Sequence, residues 1–284
     1  MPFSTDPALD RLIKQRFPAA KAAGSVSALR GLSGFSQQVT LADRQLLARR
    51  VANGLTMPGV DRQREYRLLR KLSASGLTPA VWGRNADWLL LGWQPGEVLR
   101  RGELDHWLEP LVDEVVRLHH QPLSGYRLQL LPLLMSYWQR SQPRRRSVHW
   151  LRALQQLRRQ REPRPLRLAV LHMDIHSDNL VVGSDSGRLR LIDWEYAADG
   201  DVALELAAII SGNALDAQQQ QRVIAHYARR QQLDPDRLQR QVARWQPWLL
   251  LLATSWYELR AQQSGEQHFY TLAAEGWQRL QNTR

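Results

Sequence analysis

A carboxylate, an amide and a second carboxylate follow one another as Asp174, Asn179 and Asp193 within residues 171–196, with His172 just ahead of them and Glu195 just behind. Transfer of a phosphoryl group from ATP to an alcohol needs an acidic side chain that accepts the hydroxyl proton. It also needs an amide and a carboxylate to hold magnesium on the phosphates. Asp174, Asn179 and Asp193 are those residue types in that chain order. Between the last two, the apolar runs 180–182 and 188–192 flank a Gly-Ser-Asp-Ser-Gly turn at 183–187, a pattern that predicts a β-hairpin. Such a hairpin returns Asp193 to the side of Asn179, where one metal ion can be shared.

The same stretch permits a second chemistry. His172, Asp174, His176 and Asp178 alternate, and on one strand they could ligate zinc or another transition metal, as in a metal-dependent hydrolase. That reading explains neither the Asp-to-Asn spacing nor an apolar strand that ends in Asp193. Phosphotransfer explains both, with His172 holding the loop by hydrogen bonds rather than entering the chemistry.

Several elements must hold these residues in place. Thr5 or Asp6 followed by Pro7 starts a helix whose apolar face is Leu9, Leu12, Ile13 and Phe17. Residues 26–51 switch to the short alternating runs of an antiparallel meander, and the turn at 31–36 could lay backbone N–H groups of Ser33, Gly34 and Ser36 over phosphates. Arg49, on the third run, stands where a cation pairs with the α- and β-phosphates. Glu65, on an amphipathic helix over 61–72, stands where that cation's partner belongs. Arginine suits the place because its planar fork binds phosphate or carboxylate through two hydrogen bonds. Strands over 80–85 and 87–93 follow, and the backbone around Leu91 and Trp93 is positioned to hydrogen-bond adenine. Beyond the break at Gln94-Pro95-Gly96 the chain reads as helical over 103–121, 130–141, 147–161, 202–212, 216–232, 236–261 and 266–281, with Pro247 bending or splitting the sixth. The shift from β-rich to α-rich near Gly92 divides the chain into 1–92 and 93–284.

Composition narrows the class. A chain of 284 residues that is 43% hydrophobic, with 11 Trp, has the material for a packed core. The absence of cysteine excludes disulfides, thiolate chemistry and cysteine–zinc sites. The N-terminal residues lack the uninterrupted apolar core of a signal peptide, and the longest apolar run, 248–253, is too short for a bilayer. The expectation is a soluble, cytoplasmic protein with no membrane partner. A net charge of +12, with arginines clustered at 144–146 and again at 158, 159, 161, 164 and 167, invites a nucleic-acid reading. No nucleic-acid-binding module accompanies it, so nucleic acid is not expected as a partner. The basic residues read instead as a solvated face whose field also attracts ATP.

On His172-x-Asp174-x4-Asn179 and Ile192-Asp193-Trp194-Glu195-Tyr196, the chain resembles the choline kinase and aminoglycoside phosphotransferase family. The glutamate two positions after the metal-binding aspartate is nearer its choline kinase side. Nearly the whole length is similar to the bacterial thiamine kinases of that family, through LLPLL at 130–134 with Tyr137-Trp138, REPRPLRL at 161–168, LHMDIH at 171–176, LIDWEYA at 191–197, GDVALELAA at 200–208 and RWQPWLLLL at 244–252.

The resemblance implies an α+β, two-lobed protein-kinase-like fold. Residues 1–92 would be a nucleotide-binding lobe with a small antiparallel sheet and one main helix, and 93–284 a larger, mostly helical catalytic and substrate-binding lobe. It implies ATP-dependent phosphorylation of the hydroxyethyl group of thiamine to thiamine monophosphate, a vitamin-salvage reaction, with choline or an aminoglycoside as alternative acceptors. By position, Asp174 would be the catalytic base, Asn179 and Asp193 ligands of Mg2+, Glu195 the support for a second Mg2+, and Arg49 a phosphate contact. Two features depart from the family pattern: arginine rather than lysine at 49, and a glycine-poor loop at 31–36. Thiamine carries a thiazolium charge, which aromatic faces and a carboxylate would stabilise. Tyr137, Trp138, Trp245, Trp248, Trp256, Tyr257 and Glu258 are the candidates, while Asp201 and Glu205 are expected to tie the catalytic loop to the helix after it.

Overall fold

Asp6 caps the first helix, α1 (Pro7–Arg16), by accepting the backbone N–H groups of Ala8 at 2.9 Å and Leu9 at 3.2 Å. Pro7 occupies the first turn, where a missing N–H leaves no bond unmade. The computed structural model describes residues 6–18, 26–29, 36–51 and 56–282. Ser33 and Gly34, expected at the phosphates, lie outside the described residues.

Five strands form one sheet: β1 (Val26–Leu29), β2 (Ser36–Thr40), β3 (Gln45–Arg50), β4 (Val81–Arg84) and β5 (Trp88–Gly92), in the order β1-β2-β3-β5-β4 with every pair antiparallel. The expected meander is there, and so is the turn before β5, where the Asn85 side chain accepts the N–H groups of Asp87 and Trp88. Strand alternation sorts the side chains. Leu46, Ala48, Trp88 and Leu90 pack with Leu9, Leu12 and Ile13 of α1 in one core cluster. Each fully buried leucine or isoleucine of that cluster contributes about 1.5–3 kcal/mol. Leu47 and Arg49, offset by one position, take the other face. Helix α2 (Arg62–Leu72) runs between β3 and β4 in sequence and is capped by Asp61, which accepts from Gln63 and Arg64.

Sequence periodicity did not foresee the next strand, β6 (Gly96–Val98), which is short and exposed. It pairs antiparallel with Leu180–Gly183, and that strand pairs with Leu189–Leu191, completing the predicted hairpin. Gly96 sits at φ +147°, and a Cβ there would fall 2.2 Å from the Val182 carbonyl oxygen, so glycine is required for the approach. Through this pairing the chain divides into two compact units that do not follow a single cut. One gathers residues up to Thr56, Val60–Leu99 and Asp178–Tyr196; the other holds Met57–Gly59, Arg100–Ser177 and residues from Ala197 onward.

The second unit is mostly helical: α3 (Leu108–His119), α4 (Leu130–Arg140), α5 (Val148–Gln160), α6 (Val202–Gly212), α7 (Ala217–Gln231), α8 (Pro235–Ser264) and α9 (Gln267–Asn282). Helix α8 packs on α4, α6 and α9, and α3 packs on α7. Two expectations need correction. The helix expected over 103–121 begins as a 3₁₀ segment, Arg101–Trp107, and becomes α-helical only at Leu108. That start places Pro110 in the first turn of α3, where it breaks no bond. Pro247, expected to bend or split its helix, does not split it: α8 runs unbroken through it. Both Pro247 and Ala243, whose carbonyl loses its helical donor, are on the exposed face, where water can replace the bond. Strands Leu168–Leu171 and Ala198–Asp201 pair antiparallel on either side of the stretch 172–197, which holds Asp174, Asn179 and Asp193. Among the described residues, no helix is long and apolar enough to cross a membrane.

Candidate active site

In the sheet unit, the alternation that sends Leu46 and Ala48 into the α1 core turns Arg49 to the opposite side, where it is 3% exposed. Its Nη1 lies 3.0 Å from Glu65 Oε1, and its Nη2 lies 2.6 Å from Asp193 Oδ1 and 2.7 Å from Glu195 Oε2. A second arginine, Arg62, lies 2.7 Å from Glu65 Oε2 and 2.9 Å from Glu195 Oε2. Arg64 Nη2 donates to the Glu195 backbone carbonyl at 3.0 Å. The expected Arg49–Glu65 pair is therefore present, inside a larger network. Losing one partner of a buried pair typically costs about 3–5 kcal/mol, because the remaining charge is stranded away from water.

The electrostatics follow from that crowding. Burial works against the Arg49 charge, but Glu65, Asp193 and Glu195 overcome it and raise its pKa. Burial raises the Glu195 pKa, and repulsion from Asp193 adds to it; Arg49 and Arg62 oppose both. Two guanidinium groups are shared among three carboxylates, and Glu195 shares both of its guanidinium partners with a second carboxylate.

Leu91 and Trp93, singled out for adenine, both line a cavity of about 110 Å³ in this unit, with Leu47, Val181 and Ile192 among its apolar lining and Arg49, Glu65 and Asp193 among its charged lining. The Gly92 and Trp93 N–H groups already donate within the sheet, to Ala80 at 2.7 Å and Gln45 at 3.1 Å. Ser36 stands directly opposite Arg49 in the β2–β3 register.

The hairpin brings Asn179 and Asp193 together by register: Leu180 faces Leu191, and the Ile192 N–H donates to the Asn179 carbonyl at 3.0 Å. Asp193 sits at φ +65° with its side chain 28% exposed. Magnesium takes oxygen ligands and usually keeps waters, binding through one or two carboxylates plus substrate phosphates. An amide oxygen from Asn179 and a carboxylate from Asp193 fit that preference. Glu195, expected to support a second Mg2+, has other partners: it is 1% exposed and gripped by two guanidinium groups.

In the helical unit, the loop before Ser177 is held from α6 and its C-terminus. Glu205 accepts the N–H groups of His172 at 2.5 Å and Met173 at 2.9 Å, and Asn213 accepts from Ser177 and donates to the Ile175 carbonyl. Tying the loop was the role expected of Glu205. Asp174 follows Met173, is 32% exposed and lies 3.6 Å from His176 Nε2. Its negative charge also reaches Tyr257, whose phenol is raised first by burial and then by Asp174. Among the described residues no group of three or more His, Asp or Glu side chains is arranged to hold a metal ion, and His172 is fully buried. His172, Asp174, His176 and Asp178 are therefore not gathered into a metal cluster.

The aromatic candidates separate by burial. Tyr137, Trp245 and Trp248 are core residues; the Tyr137 hydroxyl donates to the Pro58 carbonyl at 3.1 Å and Trp245 Nε1 to Asp201 at 2.9 Å. Glu258 pairs with Arg145 at 2.6 Å and accepts from Trp277. Trp138 is half-buried, edge-on to Trp150 and covered by Arg146. Trp256 is half-buried beside Tyr257, their centroids 5.5 Å apart. Arg62 carried no sequence signal, since nothing distinguishes it among 39 Lys and Arg.

A model of the phosphotransferase enzyme family matches residues 28–254. The chain is 43% identical over 282 residues to a thiamine kinase of Escherichia coli O139:H28 (strain E24377A / ETEC), covering 99% of this chain and 98% of the relative. Among solved structures, a choline kinase of Streptococcus pneumoniae superposes with a TM-score of 0.74 at 16% identity, over 96% of this chain and 98% of that one. The same protein in complex with AMP gives a TM-score of 0.70 over 95% and 98%. The architecture is thus the expected α+β, protein-kinase-like fold.

Proposed function

The chain belongs to the phosphotransferase enzyme family, and from that premise we propose that it transfers the γ-phosphoryl group of ATP to the hydroxyethyl arm of thiamine, giving thiamine monophosphate and ADP. One observation carries the choice of acceptor: 43% identity along almost the full length to a thiamine kinase. Choline and aminoglycosides, the alternative acceptors, are supported more weakly, by the Glu195 position on the choline kinase side and by shared folds at 12–19% identity.

The adenine ring enters the cavity between Leu47, Leu91, Val181 and Ile192, which leads the phosphates toward Arg49. Glu65 holds the Arg49 guanidinium in place for the α- and β-phosphates. Asn179 and Asp193 would hold magnesium, which when bound neutralises charge on the phosphates as the γ-group leaves. The thiamine hydroxyl oxygen attacks the γ-phosphorus in line while Asp174 orients the hydroxyl and accepts its proton. Tyr257, whose phenol feels the Asp174 charge, and Trp256 beside it are half-buried and offer aromatic faces to the thiazolium. In this reading the sheet unit, in which residues 178–196 join the N-terminal strands, serves the nucleotide, and residues of the helical unit serve the acceptor, in a cytoplasmic salvage enzyme.

ADP release measured with thiamine, choline, ethanolamine, kanamycin and pyridoxal tests it. Thiamine is expected to lead by at least about tenfold in kcat/KM, and chelation of magnesium to stop turnover. Release with choline but not thiamine would replace the acceptor; release with none of the alcohols would remove phosphotransfer.

A further inference from the structure

Arg62, in the first turn of α2, lies outside every catalytic motif, yet its side chain is only 4% exposed and both terminal nitrogens engage carboxylates. Nη1 is 2.7 Å from Glu65 Oε2, and Nη2 is 2.9 Å from Glu195 Oε2. Arg49 holds the other oxygen of Glu65 and shares the same oxygen of Glu195. Each glutamate is thus gripped from two sides. Counting Asp193, whose side chain is 28% exposed, the ion pairs join two guanidinium groups to three carboxylates, an excess of one negative charge within the paired set.

We propose that Arg62 is a positioning residue for nucleotide binding: by neutralising Glu65 and Glu195 it leaves the Arg49 charge available to phosphate. This rests on the phosphotransferase reading. Removing Arg62 leaves one guanidinium facing three carboxylates. Glu65 and Glu195 then draw fully on Arg49, and an incoming polyphosphate meets an excess of two negative charges. The effect is local to the nucleotide, since the contacts of Arg62 are all in the sheet unit that carries Arg49.

Charge balance gives a test that a general loss of stability cannot imitate. Three full-length variants are compared with wild type: Arg62→Gln, Arg62→Lys and the double variant Arg62→Gln/Glu195→Gln. The last removes one positive and one negative charge and restores the original excess. The readouts are ADP affinity by calorimetry, melting temperature, and separate KM values for ATP and thiamine. Arg62→Gln is expected to weaken ADP binding about tenfold or more and to raise KM for ATP, with KM for thiamine within about twofold. The double variant recovers most of the ADP affinity, and Arg62→Lys, which keeps the charge without the fork, lies between. Should Arg62→Gln fail to fold, Arg62→Lys and the double variant still decide by their ADP affinity. Wild-type ADP affinity in Arg62→Gln, equal losses for ATP and thiamine, or a double variant that binds ADP worse than Arg62→Lys by tenfold would overturn the proposal. A wild-type chain that binds no ADP would instead end the phosphotransferase reading beneath it.

Discussion

Met173, held at φ +67°, donates its backbone N–H to Glu205 Oε1 at 2.9 Å. A side-chain-bearing residue in that left-handed conformation costs on the order of 1–3 kcal/mol and persists only where its surroundings fix it. The fully buried carboxylate of Glu205 does so, taking the His172 N–H on its other oxygen at 2.5 Å. Asp174 is the next residue, so Glu205 on α6 sets the backbone from which the proposed base projects.

Glu205→Gln keeps the shape of the side chain but replaces one acceptor with a donor facing an N–H. A hydrogen bond to a charged partner is worth about 1.5–3 kcal/mol, so kcat should fall by about 10- to 100-fold with KM for ATP little changed. Steady-state kinetics beside a melting curve check this. Unchanged kcat would show that Asp174 does not depend on the Glu205 anchor.

His119 links the same region to pH. Its Nδ1 meets the Tyr227 hydroxyl at 2.6 Å, and its Nε2 lies 3.8 Å from Glu205. Burial holds its pKa below the ordinary histidine value, with Glu205 opposing. A lowered folded pKa means that the unfolded chain binds the proton more readily. Its contribution to stability is therefore complete above about pH 6.5 and is lost as pH falls below that value. The melting temperature should drop between about pH 6.5 and 5, and drop less in His119→Gln. Equal pH slopes in the two proteins would contradict this.

Gly96→Ala sets a Cβ against the Val182 carbonyl in the β6–hairpin pairing. Overpacking of this kind destabilises by about 1–3 kcal/mol. Because Gly96 also lines the cavity assigned to adenine, ADP binding should weaken alongside. Chemical denaturation and ADP calorimetry on one preparation would show whether the two losses travel together; wild-type values in both would mean that the strand tolerates the side chain.

Tyr257 should divide substrate from nucleotide. Desolvated cation–π contacts are worth about 2 kcal/mol, so Tyr257→Ala should raise KM for thiamine by roughly tenfold or more, and Tyr257→Phe by much less. KM for ATP should stay near wild type in both. A rise for ATP alone would move Tyr257 out of the acceptor site.

The sequence made legible what is local. Gly-Ser-Asp-Ser-Gly between two apolar runs is enough to predict the hairpin, and an aspartate ahead of a helical pattern marks the starts of α1 and α2. Strand β6 escaped because three exposed residues show no periodicity, and a split at Pro247 did not follow because a proline on a helix's exposed side can be tolerated although it looks in sequence like a breaker. The buried charge network is tertiary. Arg49 and Glu195 are 146 positions apart, and only the folded sheet unit shows that Glu195 faces arginines rather than solvent. The aromatic candidates share a residue type and a helical spacing, so burial alone separates Trp245 and Trp248 from Trp256 and Tyr257.

In the proposed reaction Asp174 promotes transfer of the ATP γ-phosphoryl group to thiamine. Incubating the chain with γ-³²P-labelled ATP, magnesium and thiamine, then separating the products, tests it most directly. The label should appear in thiamine monophosphate, and Asp174→Ala, folded and still binding ADP, should form it roughly 100-fold more slowly or worse. Label released only as inorganic phosphate, or an Asp174→Ala variant as fast as wild type, would contradict the account.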